Sequence, residues 1–98
     1  MRSDLDNLPD AARLQLQLTR RFAAGLIAGP AFETAFLEGR MRIHDRIPSR
    51  LADVLVQIFY GVDDYVADDS LREPEKGDLD EGQLREVVRA QLRRLDEV

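Results

Sequence analysis

Between Ser49 and Val62 the large apolar residues fall at Leu51, Val54, Leu55, Ile58, Phe59 and Val62. Spacings of three, one, three, one and three close into a single face on an α-helix but scatter over both faces of a strand, so this segment commits the chain to helical packing. Ser49 is placed to cap that helix, and Gly61, which costs about 1 kcal/mol relative to Ala, suggests a close helix crossing. This stripe, Phe59 included, is the expected centre of the core. Three other segments have the same character. Leu14, Leu18, Phe22 and Leu26 lie four apart between Leu8 and Ile27. The Leu-Gln run over 14–19 alternates as a strand would, yet Leu and Gln favour helix and no β-branched apolar residue precedes Ile27. Gly29-Pro30 predicts a left-handed helix end followed by a second helix from about Pro30, which carries Phe32, Ala35, Phe36, Leu37, Met41 and Ile43 and ends before Pro48. Gly39 is its weak point. Asp80-Glu81-Gly82-Gln83 is a capping box that opens a fourth helix bearing Leu84, Val87, Val88, Gln91, Leu92 and Leu95. The expected fold is all-α: an antiparallel four-helix bundle with an acidic loop between helices 3 and 4, one domain over residues 1–98, with 1–7 as a flexible N-terminus.

Composition narrows the function. There is no Cys, which excludes disulfides, thiolate metal cages and a cysteine nucleophile, and makes a reducing cytoplasm the natural compartment. Asp4 and Asp6 stand where a secretory signal needs an apolar run, and no apolar stretch approaches the length of a bilayer span. Fourteen Lys and Arg against nineteen Asp and Glu give a net charge of −5, which disfavours phosphate-backbone binding by the chain as a whole. The imbalance is local. From Asp63 to Glu81 there are nine acids against Arg72 and Lys76, a charge of −7, so the remainder sums to +2.

His44 is the only histidine and has no second ligand or triad partner at a readable spacing. The acids Asp63, Asp64, Asp68 and Asp69 suit a hard cation in type but fail the Ca²⁺-loop template, which needs Gly at its sixth position and Glu at its twelfth. No metal, cofactor or catalytic set is expected, and a bundle this small leaves little room for a substrate cleft. A dense run of carboxylates on an exposed segment can instead stand in for nucleic-acid phosphates before a basic groove, or can simply keep a loop solvated. Tyr60 and Tyr65 beside the acids suit interface anchors, and equally the rim of a core.

Three stretches carry a family resemblance: Phe22-Ala23-Ala24-Gly25-Leu26-Ile27-Ala28-Gly29-Pro30-Ala31-Phe32-Glu33-Thr34-Ala35-Phe36-Leu37, then Ile58-Phe59-Tyr60-Gly61-Val62-Asp63-Asp64-Tyr65, then Leu79-Asp80-Glu81-Gly82-Gln83-Leu84-Arg85. In order and spacing they resemble the bacterial self-protective colicin-like immunity proteins, the group that includes the immunity protein of colicin D, a tRNA-cleaving toxin. The resemblance implies a non-enzymatic four-helix bundle that neutralises a nuclease toxin by covering its basic active site with acids. It implies toxin-binding roles for Asp63, Asp64 and Tyr65, with Asp68 and Asp69 just beyond, and a cognate basic nuclease domain bound by a monomer in a 1:1 complex. Neither direct nucleic-acid binding nor a membrane is implied. The chain departs from the family's pattern in its second helix, where Glu38-Gly39-Arg40-Met41 replaces a region that often holds Trp, and where Arg40, Arg42 and Arg46 add basic charge.

Two other readings stay open from the residues alone. One is a helical adaptor or regulatory module with no nuclease target, which would dock through apolar surface and be less salt-sensitive than a charge-driven blocker. The other is nucleic-acid binding through a stripe of Arg85, Arg89, Arg93 and Arg94, although acids interleave it and neighbouring helices offer more.

Overall fold

The structure is a computed structural model and describes residues 5–97. Four helices run α1 Asp10–Ala23, α2 Gly29–Arg40, α3 Ser49–Asp64 and α4 Glu81–Asp96, with a single 3-10 turn at Pro74–Lys76. Phe22 against Phe32 and Asp53 against Arg94 join the end of one helix to the start of the other, so α1–α2 and α3–α4 run antiparallel. The expected bundle is therefore present. Helix α1 packs on α2 and α4, and α4 packs on α3, while the α2–α3 edge is the loosest of the four.

The core is partly the expected one. Leu51, Val54, Ile58 and Val62 are buried, but Phe59 is half-buried at the α2–α3 edge under the Arg40 guanidinium, 3.9 Å from its ring centre. The aromatic weight lies elsewhere. Phe22 and Phe32 stack with centroids 4.1 Å apart and planes 3° from parallel, and Phe36 adds a tilted contact at 5.5 Å. Gly61 meets the expectation of a close crossing, since a Cβ there would lie 3.1 Å from Val87 and 3.2 Å from Leu84.

Four local expectations need correction. In α1, Leu14 is exposed and Leu18 only partly buried, and Leu26 lies exposed beyond the helix end; the inward face is Ala12, Gln15, Leu16, Thr19 and Phe22. Burial of the two polar residues is made possible by hydrogen bonds, Gln15 Nε2 donating to the Phe36 carbonyl at 2.8 Å and Thr19 Oγ1 to the Leu16 carbonyl at 2.7 Å. The left-handed residue that ends α1 is Gly25, at φ 81°, with its N–H donating to Phe22 O; Gly29 is already the first residue of α2. Ser49 is likewise helical rather than capping, because Pro48 holds the cap position and no side chain bonds there. Helix α2 stops at Arg40, well before Pro48. Tight turns follow, with Arg42 N–H on Gly39 O and Ile43 N–H on Arg40 O, and they bring Ile43 and Ile47 back against the core. Of the stretch 1–7 expected to be flexible, residues 1–4 lie outside the described residues, 5–7 form a turn, and Leu5 packs against the core.

Candidate functional site

The end of α3 and the start of α4 lie at the same pole of the bundle, joined by the acidic loop. The loop is pinned. Leu79 N–H donates to Asp64 O at 2.9 Å and Val66 N–H to Leu79 O at 3.0 Å, forming a one-residue parallel bridge between Tyr65 and Leu79. Arg72 folds back across the loop, its guanidinium donating to Val66 O at 3.0 and 2.8 Å and to the Asp69 carboxylate at 2.6 Å. A segment with almost no apolar content is thus ordered through its carbonyls.

Most of the acids are engaged in that order. Asp68 accepts from Ser70 N–H at 2.9 Å and Ser70 Oγ at 2.7 Å, which holds its carboxyl below the usual range. Asp78 accepts from Glu73 N–H, and Glu73 pairs with Lys76. Asp80 accepts from Gln83 N–H at 2.7 Å while Gln83 Oε1 accepts from Asp80 N–H at 2.9 Å, which completes the expected capping box. Glu81 accepts from Gly29 N–H at 2.6 Å and pairs with Arg85 at 3.3 Å, tying the start of α4 to the start of α2. Space there is so limited that a Cβ on residue 29 would collide with the Tyr65 hydroxyl and the Glu81 carboxylate. Of the nine acids from Asp63 to Glu81, Asp63, Asp64 and Glu75 remain with no hydrogen bond or ion pair to their carboxylates among the described residues.

Asp63 and Asp64 are exposed in the last turn of α3, which contains no basic residue. Negative charge at a helix C-terminus opposes the macrodipole, by about 0.3–1 kcal/mol per charge. The fold therefore gains nothing from these two acids. Tyr65 follows them but turns inward, with 6% of its surface exposed. Burial first, then the nearby Glu81 and Glu33, raises its hydroxyl above the ordinary tyrosine range. Tyr65 lines an open cleft shared with Pro30, Asp69, Arg72, Asp80 and Glu81, with its hydroxyl packed close to Gly29. The solvent-facing tyrosine is Tyr60, 55% exposed one turn earlier. Asp68 and Asp69 are exposed on the pinned loop, turned to Ser70 and Arg72.

Three of the four arginines of α4 have internal partners, while Arg93 is exposed with none among the described residues. Arg85 lies over the Phe22 ring at 4.5 Å and donates to Phe22 O and Ile27 O; Arg89 donates to Ala23 O at 2.9 Å. Together they satisfy carbonyls at the end of α1, where cationic groups also suit the helix dipole. Arg94 pairs with Asp53 at 2.7 Å. A phosphate-binding stripe would need these groups free. Among the described residues no group of three or more His, Asp or Glu is placed to hold a metal ion, and no helix is long and apolar enough to cross a membrane.

The family model for bacterial self-protective colicin-like immunity matches residues 14–95, from within α1 nearly to the end of α4. The chain belongs to this family. As an immunity protein it is a toxin-neutralising protein with a cognate toxin as its partner, and the family points to inhibition rather than catalysis. No curated protein and no solved structure matches the chain. For this immunity protein, reading the sequence missed Glu75 and the role of Arg72. The basic charge of Arg72 within an acidic run was the one visible sign of an internal partner for the loop.

Proposed function

We propose that this immunity protein neutralises a cognate nuclease toxin, of the tRNA-cleaving type, by presenting carboxylates in place of nucleic-acid phosphates to the toxin's basic active-site groove. The observation that carries this reading is the state of Asp63 and Asp64: exposed, without internal partners, and set against the dipole of an ordered helix. Charges retained at a cost to the fold fit a role in binding. Rigid placement at a helix end suits them to the central contacts, with Asp68 and Asp69 on the loop and Tyr65 in the cleft as flanking ones. The complex is 1:1, and the protein acts in the cytoplasm without touching nucleic acid. The resolving experiment is co-purification from the native cell with identification of the retained basic domain, followed by Asp63→Lys with Asp64→Lys. Loss of an acid whose basic partner is buried in the complex should cost roughly 2–5 kcal/mol, through the off-rate. Full cell protection by the folded double variant, at unchanged affinity, would remove both residues from the site.

A further inference from the structure

The cleft where α2 and α4 begin has a volume of about 490 Å³, and Tyr65 is the one buried residue that lines it. The ring belongs to the core, while the hydroxyl ends beside Gly29, at a spot the Glu81 carboxylate also reaches. No hydrogen bond is made by that hydroxyl. Buried tyrosine hydroxyls ordinarily find a partner, and among the described residues no side-chain nitrogen or oxygen shut off from water lacks one. An unpartnered Tyr65 hydroxyl is therefore open to solvent, and the cleft is where Tyr65 meets it. A polar group carried to the bottom of a recess and left unbonded is available to a ligand.

The walls decide which ligand. On the loop side, the Asp69 carboxylate is 91% exposed and held from one side only, by Arg72. On the α4 side, Asp80 and Glu81 are spent on the helix cap, Gly29 N–H and Arg85, so they add negative potential rather than open acceptors. Arg72 is the only cation in the lining, and its N–H groups already serve Val66 O, Ala67 O and Asp69. Three carboxylates against one guanidinium leave the lining at −2, with acceptors open and donors used. That balance turns away anions. The open acceptors, the Tyr65 hydroxyl oxygen and the Asp69 carboxylate, stand on separate walls. They suit a flat cation with donors spread around it, and a guanidinium also gives up water more readily than an ammonium.

We propose that this cleft is the receptor for one arginine side chain of the cognate toxin, whose guanidinium donates to the Tyr65 hydroxyl and the Asp69 carboxylate. Whose arginine it is rests on the toxin reading; the preference for a guanidinium does not. Tyr65 directly follows Asp63 and Asp64, so an arginine seated here holds the neighbouring basic surface over those two acids.

The test has two arms. In the first, N-acetyl-arginine amide is titrated into the full chain and followed by NMR of the backbone amides and tyrosine rings. Expected are saturable shifts centred on Tyr65, Ala67, Asp69 and Gly82, weaker ones with the lysine analogue and none with the uncharged citrulline analogue. Tyr65→Phe keeps the ring in the core and breaks no internal hydrogen bond, and Asp69→Asn keeps an oxygen for Arg72. Each should weaken probe binding by about tenfold, the loss of one hydrogen bond to a charged group. In the second arm, Tyr65→Phe should lower toxin affinity by about tenfold, with no fall in melting temperature at neutral pH. Shifts spread evenly over every exposed acid, an equal response to the lysine or citrulline analogue, or probe binding indifferent to both variants would overturn the proposal. So would a toxin affinity unmoved by Tyr65→Phe. The arginine probe needs no toxin, and reversing Asp63 and Asp64 leaves Tyr65 and Asp69 in place. A probe that fails while that reversal still abolishes toxin binding sinks the cleft alone; a probe that binds while the reversal changes nothing sinks the role of the acid pair alone.

Discussion

Asp63 with Asp64 and Asp80 with Glu81 form two pairs of carboxylates at one pole of the bundle, and the fold uses only the second. Asp80 and Glu81 open α4, where four amide N–H groups lack helical partners and the dipole favours negative charge. There Asp80 caps Gln83 and Glu81 reaches Gly29 N–H and Arg85. Asp63 and Asp64 end α3, where the exposed groups are carbonyls and the dipole is unfavourable. Equal charge thus has opposite meaning at the two helix ends. Stability should respond to one pair and binding to the other.

The largest expected effect is the loss of toxin affinity on reversing Asp63 and Asp64. Next is Glu81→Ala, which strips a partner from both the part-buried Gly29 N–H and Arg85 and should cost roughly 1–3 kcal/mol of stability. Chemical denaturation reads it, and toxin binding should change far less. Asp80→Ala should cost about 1 kcal/mol through the lost cap, with Asp80→Asn recovering most of it because Asn caps equally well. An Asp80→Asn variant that is stable but binds poorly would blur the division between the two pairs.

A smaller effect tests how the buried Tyr65 supports that pole. Its hydroxyl is raised by burial, so at alkaline pH the folded chain keeps a proton that the unfolded chain loses near pH 10. The unfolded state then holds fewer protons and stability falls as pH rises. This contribution is complete below pH 10 and is lost as pH climbs through the folded value. Tyr65→Phe should flatten the decline in melting temperature across that range; an unchanged decline would show that the ionisation lies elsewhere.

The four helices and the capping box were legible because their signals are local: apolar residues at helical spacing, Gly-Pro punctuation, and Asp80 three residues before Gln83. The inward face of α1 was not. Gln15 and Thr19 read as solvent-facing until a carbonyl on α2 and one a turn back in α1 supply their partners. The same holds for the site. The acidic segment was visible as charge, but which acids stay free depends on the path of the loop, and that path is held by Arg72 reaching back to Val66 O. Arg85 and Arg89 looked like one face of a helix for the same reason, since the carbonyls they satisfy belong to the distant end of α1.

The central claim is that Asp63 and Asp64 serve a partner at the expense of the fold, and the double variant Asp63→Asn with Asp64→Asn tests it most directly. Melting temperature and toxin dissociation constant are measured on the same preparation. Removing two charges from the wrong end of a helix dipole should stabilise the protein by about 0.3–1 kcal/mol per site, while toxin affinity falls by about 30-fold or more, as roughly 2–5 kcal/mol for a buried contact implies. A variant that loses stability, or that binds toxin as tightly as the parent, would contradict the account.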